Sequence, residues 1–197
     1  QAAAAIAWPT GAGFADMRIS VNVSAEEIQN PDFTRHLKTA LQNGVIPARA
    51  LELEVTESMI MQDTAKAIAA IRDLSDLGVR FSIDDFGTGY SSLSYLRQLK
   101  IHNLKIDQSF VRDLMVDADD AAIVRTIIGL AQNLRLQVTA EGVESAEQRS
   151  FLKDNGCDVI QGYEFSEALP FTKFILFLQG HVRKTTPGNS RKTQSGN

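Results

Sequence analysis

The sequence has one cysteine, Cys157, and three histidines, His36, His102 and His181. A lone cysteine excludes a disulfide framework and a cysteine-based zinc site, and it fits a reducing compartment, so a cytoplasmic location is expected. The histidines lie far apart and show no metal-ligand spacing. No apolar run approaches the roughly 20 residues of a membrane span. The apolar stretch "FTKFILFLQG" is too short and reads as a terminal amphipathic helix. Basic residues are not in excess: 20 Lys and Arg face 24 Asp and Glu, for a formal net charge of −4. There is thus no global attraction to a nucleic-acid polymer or an anionic membrane, and a phosphate-bearing ligand needs a local site. No Gly-Lys-Ser/Thr phosphate loop is present. "DFG" occurs at 85–87, but without the His-Arg-Asp loop, glycine-rich loop or lysine strand of a protein kinase. The opening "QAAAAIAW" has no basic leader and reads as the end of a helix that starts upstream.

What is present is enough apolar material, 44 % of 197 residues, for a sizeable core. Short β-prone runs alternate with helical patterns. "RISVNVS" (18–24) is followed by a helical stretch from Ala25 to Gly44, broken or restarted at Pro31. "LELEVTES" (51–58) precedes "TAKAIAAIRDLSDLG", with Gly78 as its C-cap. "VRFSIDD" precedes the short helix "SSLSYLRQL". "HNLKID" precedes "DDAAIVRTIIGLAQNL", and "LQVTAEG" precedes "SAEQRSFLKDNG", whose Ser-x-x-Gln start is a capping-box variant. "CDVIQGY" is the sixth strand. Residues 181–197, polar and basic, read as a disordered tail or linker after a domain spanning 1–180.

Strands joined by helical crossovers pair in parallel. An open doubly wound sheet and a (β/α)8 barrel of the TIM type both satisfy that rhythm. Each strand ends in a polar group: Asn22, Glu54, Asp84, Lys105, Glu141 and Gln161. A barrel converges such ends on one site, whereas an open sheet spreads them along an edge, so the barrel is expected. It needs eight strands, which places two upstream of Gln1.

Glu54, Asp84, Asp85 and Glu141 offer hard oxygen, and Asn22 adds an amide oxygen. This set suits Mg²⁺ or Mn²⁺ and holds nothing soft for zinc or copper. Clustered carboxylates repel unless cations lie between them, and two metals roughly 3.5–4 Å apart suit attack on a phosphodiester. Lys105 is placed to orient a water or to neutralise developing charge, and Gln161 to fix a water or a phosphate oxygen. Strand alternation puts Asp84 with Ser82 on one face and Asp85 on the other, unless the strand has already turned.

The segments "VNVSAEEI", "LELEVTES", "DDFGTGYSSLSYL", "LKIDQSFV", "AEGVE" followed by "EQ", and "QGYEFS" resemble, in this order, the motifs of the EAL family over roughly residues 1–178. Members are bacterial phosphodiesterases that linearise cyclic di-GMP on a (β/α)8 barrel with two Mg²⁺ or Mn²⁺ ions. The resemblance implies that Asn22, Glu54, Asp84, Asp85 and Glu141 are metal ligands, that Lys105 serves the nucleophilic water, and that Gln161 supports the site. It implies that Glu57, expected on the strand face opposite Glu54, tethers the loop after Asp85. Asp107 and Glu144 match positions with supporting roles. The same resemblance implies a homodimer formed through the loop and helix after Asp85, and upstream sensor or GGDEF-type domains, with membrane anchorage of a larger sensor as one arrangement. Ala168 stands where the family often has proline. The Glu-Ala-Leu segment that names the family is not in this sequence, and with it one metal ligand and a substrate-contacting arginine are expected upstream. The implied activity is hydrolysis of cyclic di-GMP to linear pGpG. The alternatives are a catalytically silent receptor for the dinucleotide and a regulatory module whose partner surface includes Leu93–Leu99.

Overall fold

The computed structural model describes residues 17–44, 46–89 and 93–185. The reading of residues 1–8 as a helix end lies outside them. Six parallel strands, β1 (Ile19–Asn22), β2 (Leu51–Thr56), β3 (Arg80–Phe86), β4 (Asn103–Ile106), β5 (Gln137–Ala140) and β6 (Val159–Ile160), pair in strict chain order. That order decides between the two architectures. A doubly wound sheet reverses its strand order at a switch point, whereas a barrel arc does not. The fold is α/β, of the TIM-barrel type.

The crossovers begin with side-chain caps. Ser24 and Glu27 form a capping box at α1 (Ala25–Gln29), and Asn30 caps α2 (Pro31–Gln42). Pro31 restarts the helix because its missing N–H costs nothing in a first turn. Thr56 caps α3 (Glu57–Gln62) and Asp63 caps α4 (Thr64–Ser75). After α5 (Leu93–Leu96), Asp107 caps α6 (Gln108–Arg112) and Asp117 caps α7 (Ala118–Leu134). The expected Ser145–Gln148 box opens α8 (Ala146–Asp154). Three expectations change. The second strand stops at Thr56, so Glu57 is the first residue of a helix rather than an outward strand position. The sixth strand shortens to two residues. The last helix, α9, runs Phe171–Thr185, five residues beyond the boundary at 180; residues 186–197 lie outside the described part. The chain divides into two compact units between Phe165 and Ser166.

In the first unit the outer face of the sheet carries the core. Leu53, Val55, Phe81, Ile83, Leu104, Ile106 and Val138 are buried with Ile71, Leu74, Val124 and Ile128 of the helices. The inner face is polar: Glu52, Glu54, Ser82, Asn103, Lys105 and Thr139 are all buried. Buried polar groups need partners, and a lower tier supplies them for Glu52, Asn103 and Thr139. Glu52 lies 3.8 Å from Arg18 and 3.7 Å from Arg80, and Asn103 donates to Glu52 at 3.3 Å and to Thr139 at 3.0 Å. The upper tier is the site described next.

Cys157 sits where α8 hands the chain to β6. Burial pushes its thiol pKa up to about 11. Only the thiolate alkylates, so at pH 8 roughly one thiol in a thousand is reactive, against about a quarter for a free thiol. Iodoacetamide labelling at pH 8 is therefore expected to be about two hundredfold slower than for free cysteine. The rate should still climb at pH 10, where a free thiol has levelled off. Labelling at the free-cysteine rate would mean that the β5–β6 end opens readily.

Candidate active site

Asn22, Glu54, Asp84, Lys105, Glu141 and Gln161 lie at or just beyond the C-terminal ends of the strands. Parallel register sets Asn22 beside Glu54, Thr56 beside Asp84, Lys105 beside Thr139 and Ala140 beside Ile160, so Glu141 and Gln161 each follow the end of a strand. At the centre is Lys105, buried, with its ammonium 2.8 Å from Glu54, 2.9 Å from Asp84 and 2.6 Å from Glu141. Burial works to lower its pKa. Hydrogen bonds to Glu141, Glu54 and Asp84 more than reverse this, and the ammonium titrates well above the ordinary lysine range. These partners favour the charged ammonium, a hydrogen-bond donor to all three carboxylates.

Asp85 reaches the same cluster by a kink. The β3–β4 register shifts between Ile83 and Phe86, and Asp85 adopts φ 53°, the left-handed region that Asp tolerates better than most residues. The strand has turned, and alternation no longer holds. Oxygens of Asp84, Asp85 and Glu141 all come within 4.8 Å of one another. Burial, the Asp84 charge and Asp107 hold the Asp85 carboxyl above the usual range. Burial also raises Glu141, against the opposing pull of Lys105. Asp107, despite the opposing effect of burial, lies below the usual range because Ser109 and Asp85 hydrogen-bond to it.

This donor set fits a divalent cation. Three acids within one ligand's reach, two of them resisting ionisation, lack positive charge that one lysine does not fully supply. Asn22 sits beside the cluster: its amide nitrogen donates to Asp84 Oδ2 and to Glu54 Oε2, both at 3.3 Å.

The remaining residues line the rim. Gln161 is exposed, and its backbone ties β5 to β6: its N–H donates to Ala140 at 2.9 Å and its carbonyl accepts from Val143 at 3.0 Å. Gly162 is required next, because a Cβ there would lie 2.2 Å from the Val143 carbonyl oxygen. Gln161, Glu141, Glu144, Gln108 and Tyr163 border a cavity of about 390 Å³ beside the acid cluster. A larger cavity of about 570 Å³ lies between α2 and α4, away from these acids. The Glu144 backbone N–H donates to Gln148 Oε1 at 2.8 Å, within the turn that opens α8. Glu57 is outside the metal cluster. It is buried and accepts from the Tyr95 hydroxyl at 3.1 Å. Sequence reasoning missed Tyr95 and Gln108. Tyr95 looked like one more apolar position on a short helix, and nothing in the pattern announced α6, which begins directly after β4.

A parallel barrel arc with oxygen-bearing side chains gathered at its C-terminal strand ends offers the donor chemistry of a divalent-cation site. The sequence matches the EAL domain family across residues 2–168, and the chain belongs to that family. It is 42% identical over 176 residues to the cyclic di-GMP phosphodiesterase NbdA of Pseudomonas aeruginosa, a match covering 89% of this chain and 22% of NbdA. Among solved structures it resembles the phosphodiesterase PaMucR in complex with c-di-GMP, with a TM-score of 0.79 and 42% identity over 82% of this chain and 66% of that one. It also resembles Klebsiella pneumoniae BlrP1 in a manganese and cy-diGMP complex, with a TM-score of 0.71 and 28% identity over 78% of this chain and 39% of that one. The chain spans about a fifth of the length of the curated relatives it matches.

Proposed function

We infer that this chain forms part of a metal-dependent phosphodiesterase that hydrolyses cyclic di-GMP to linear pGpG. The observation that carries the reading is the acid cluster around Lys105 at the strand ends, in a chain whose relatives bear that name. Asn22, Glu54, Asp84, Asp85 and Glu141 would hold two Mg²⁺ or Mn²⁺ ions. Bound there, such ions lower the pKa of water and offset charge on the phosphate oxygens. Water adds its oxygen to phosphorus, one P–O ester bond breaks, and the leaving oxygen takes up a proton. The ring opens to a phosphate at one end and a hydroxyl at the other.

Lys105 donates to the attacking water or to an oxygen gaining charge. In the metal-free site its hydrogen bonds to Glu141, Glu54 and Asp84 favour the charged ammonium, the form that donates. Gln161, at the cavity rim, orients a water or phosphate oxygen. Asp107 supports the site as the cap of α6, beside Asp85, and Glu144 shapes the turn into α8. Glu57 holds the chain after Asp85; of that loop, Tyr90–Ser92 lie outside the described residues. A homodimer through this loop and α5, and fusion to sensor or GGDEF-type domains, complete the proposal. MucR of P. aeruginosa is itself named a bifunctional diguanylate cyclase and phosphodiesterase. No described helix is long and apolar enough to cross a membrane.

The test is chromatographic assay of cyclic di-GMP with the full-length protein, in Mg²⁺, in Mn²⁺, in Ca²⁺ and in excess chelator. Conversion to pGpG with the first two ions, little with Ca²⁺ and none in chelator is the expected result. Tight binding of the dinucleotide without turnover in any ion would make the protein a receptor. Full turnover in chelator would eliminate the metal mechanism.

A further inference from the structure

We propose that Tyr95 is a positioning residue of this site: its hydroxyl fixes the Glu57 carboxylate against Gly89 and thereby sets the turn that presents Asp85. The inference rests on the site reading above and adds a residue to it. Tyr95, on α5, and Glu57, the first residue of α3, are both buried, with 3% and 2% exposure, and their side chains meet at 3.1 Å. A carboxylate so enclosed has its orientation chosen by its donors, and here a phenol fixed by packing is one of them. The backbone of Gly89 runs directly over this carboxylate. A Cβ at Gly89 would lie 3.2 Å from both Glu57 Cδ and Oε2, so a side chain there would have to push the Glu57 carboxylate aside by a few tenths of an ångström. Between Gly89 and the acid cluster the chain is a tight turn. Thr88 donates to the Asp85 carbonyl from its hydroxyl at 2.8 Å and from its backbone at 3.4 Å.

Tyr95, Glu57, Gly89, Thr88 and Asp85 thus form one contiguous chain of contacts. Asp85 sits in a left-handed conformation that its surroundings must enforce, because that region is unfavourable for a residue other than glycine. Loosening the far end of this chain frees Asp85 to relax. The competing reading is that Tyr95 only fills the core and satisfies its own hydroxyl.

The experiment uses full-length protein carrying Tyr95→Phe, Glu57→Gln, and both. Hydrogen exchange of residues 86–89 is measured without metal, so its outcome does not depend on whether the protein hydrolyses anything. Tyr95→Phe is expected to speed exchange there about tenfold while β2 and β4 keep their protection. Calorimetric titration with Mn²⁺ is expected to show an affinity about tenfold weaker. The double variant should match Glu57→Gln alone, because the hydroxyl acts through that carboxylate. Unchanged exchange at 86–89, a loss of protection spread over the whole sheet, or additive effects in the double variant would each overturn the proposal. A normal exchange response in a protein that fails to hydrolyse cyclic di-GMP would leave the Tyr95 role standing and remove the enzymatic one.

Discussion

Lys105→Met is expected to unfold about 10 °C below wild type in the absence of metal, to regain most of that loss on adding Mg²⁺ or Mn²⁺, and to remain nearly inactive. The ammonium is shared by Glu54, Asp84 and Glu141 at 2.6–2.9 Å within a buried setting. Taking one partner from a buried ion pair costs about 3–5 kcal/mol, because the charges left behind are neither solvated nor neutralised. For a domain of this size each kcal/mol moves the melting temperature by about 2–4 °C. Methionine keeps the stem volume, so little of the loss comes from packing. Divalent cations replace the missing charge among the carboxylates and restore stability. They do not replace a donor aimed at the attacking water, so turnover should stay down by ~10²–10³-fold, the range for losing one preorganised hydrogen-bond donor. The loss should fall on kcat more than on KM. An unchanged melting temperature without metal would mean that the three carboxylates are already relieved by protonation or by water. A change in KM alone would make Lys105 a clamp on substrate phosphate.

The strand–helix rhythm was legible because each buried strand is a short β-prone run and most crossovers end in a glycine or begin with a capping side chain. The polar strand ends were legible for the same reason: an acid after four apolar or alternating residues has few places to go. What stayed hidden follows from short elements and from local backbone departures. Val55 and Thr56 are good strand formers, so "LELEVTES" reads on through Glu57; in the structure Thr56 accepts from Met59 N–H at 3.3 Å and turns the chain into α3. Asp107 does the same for α6, accepting from Ser109 N–H at 2.9 Å. Neither helix is long enough to show a helical period. Asp85 is the instructive case. Period-two alternation assigns it to the face opposite Asp84, and one register shift with one left-handed residue brings the two acids together. The contact of Tyr95 with Glu57 spans 38 positions in sequence, and no local pattern encodes it.

Asp84→Asn separates the metal site from the fold in the opposite sense to Lys105→Met. Asp84 is the member common to both halves of the cluster. It lies with Asp85 and Glu141 among the three converging acids, and its Oδ2 is 3.3 Å from the Asn22 amide on the Glu54 side. Asparagine keeps the shape and one oxygen but removes the negative charge. Lys105 retains Glu54 and Glu141, so the protein without metal should melt within about 2 °C of wild type. Metal affinity should fall by at least 10–100-fold, the loss typical of disturbing even an indirect ligand contact. Turnover should fall by ~10³-fold or more, because the lost charge belongs to the carboxylate that would hold a cation together with Asp85 and Glu141. Saturating Mn²⁺ is expected to recover only a small part of that rate. Isothermal titration with Mn²⁺ and the chromatographic assay for pGpG supply the two measurements. Recovery of the wild-type rate at high Mn²⁺ would reduce Asp84 to an affinity contact, and the catalytic burden would then fall on Asp85 and Glu141. A metal affinity equal to wild type would place the cations away from Asp84 altogether, and the cluster around Lys105 would be no more than a buried ion-pair network.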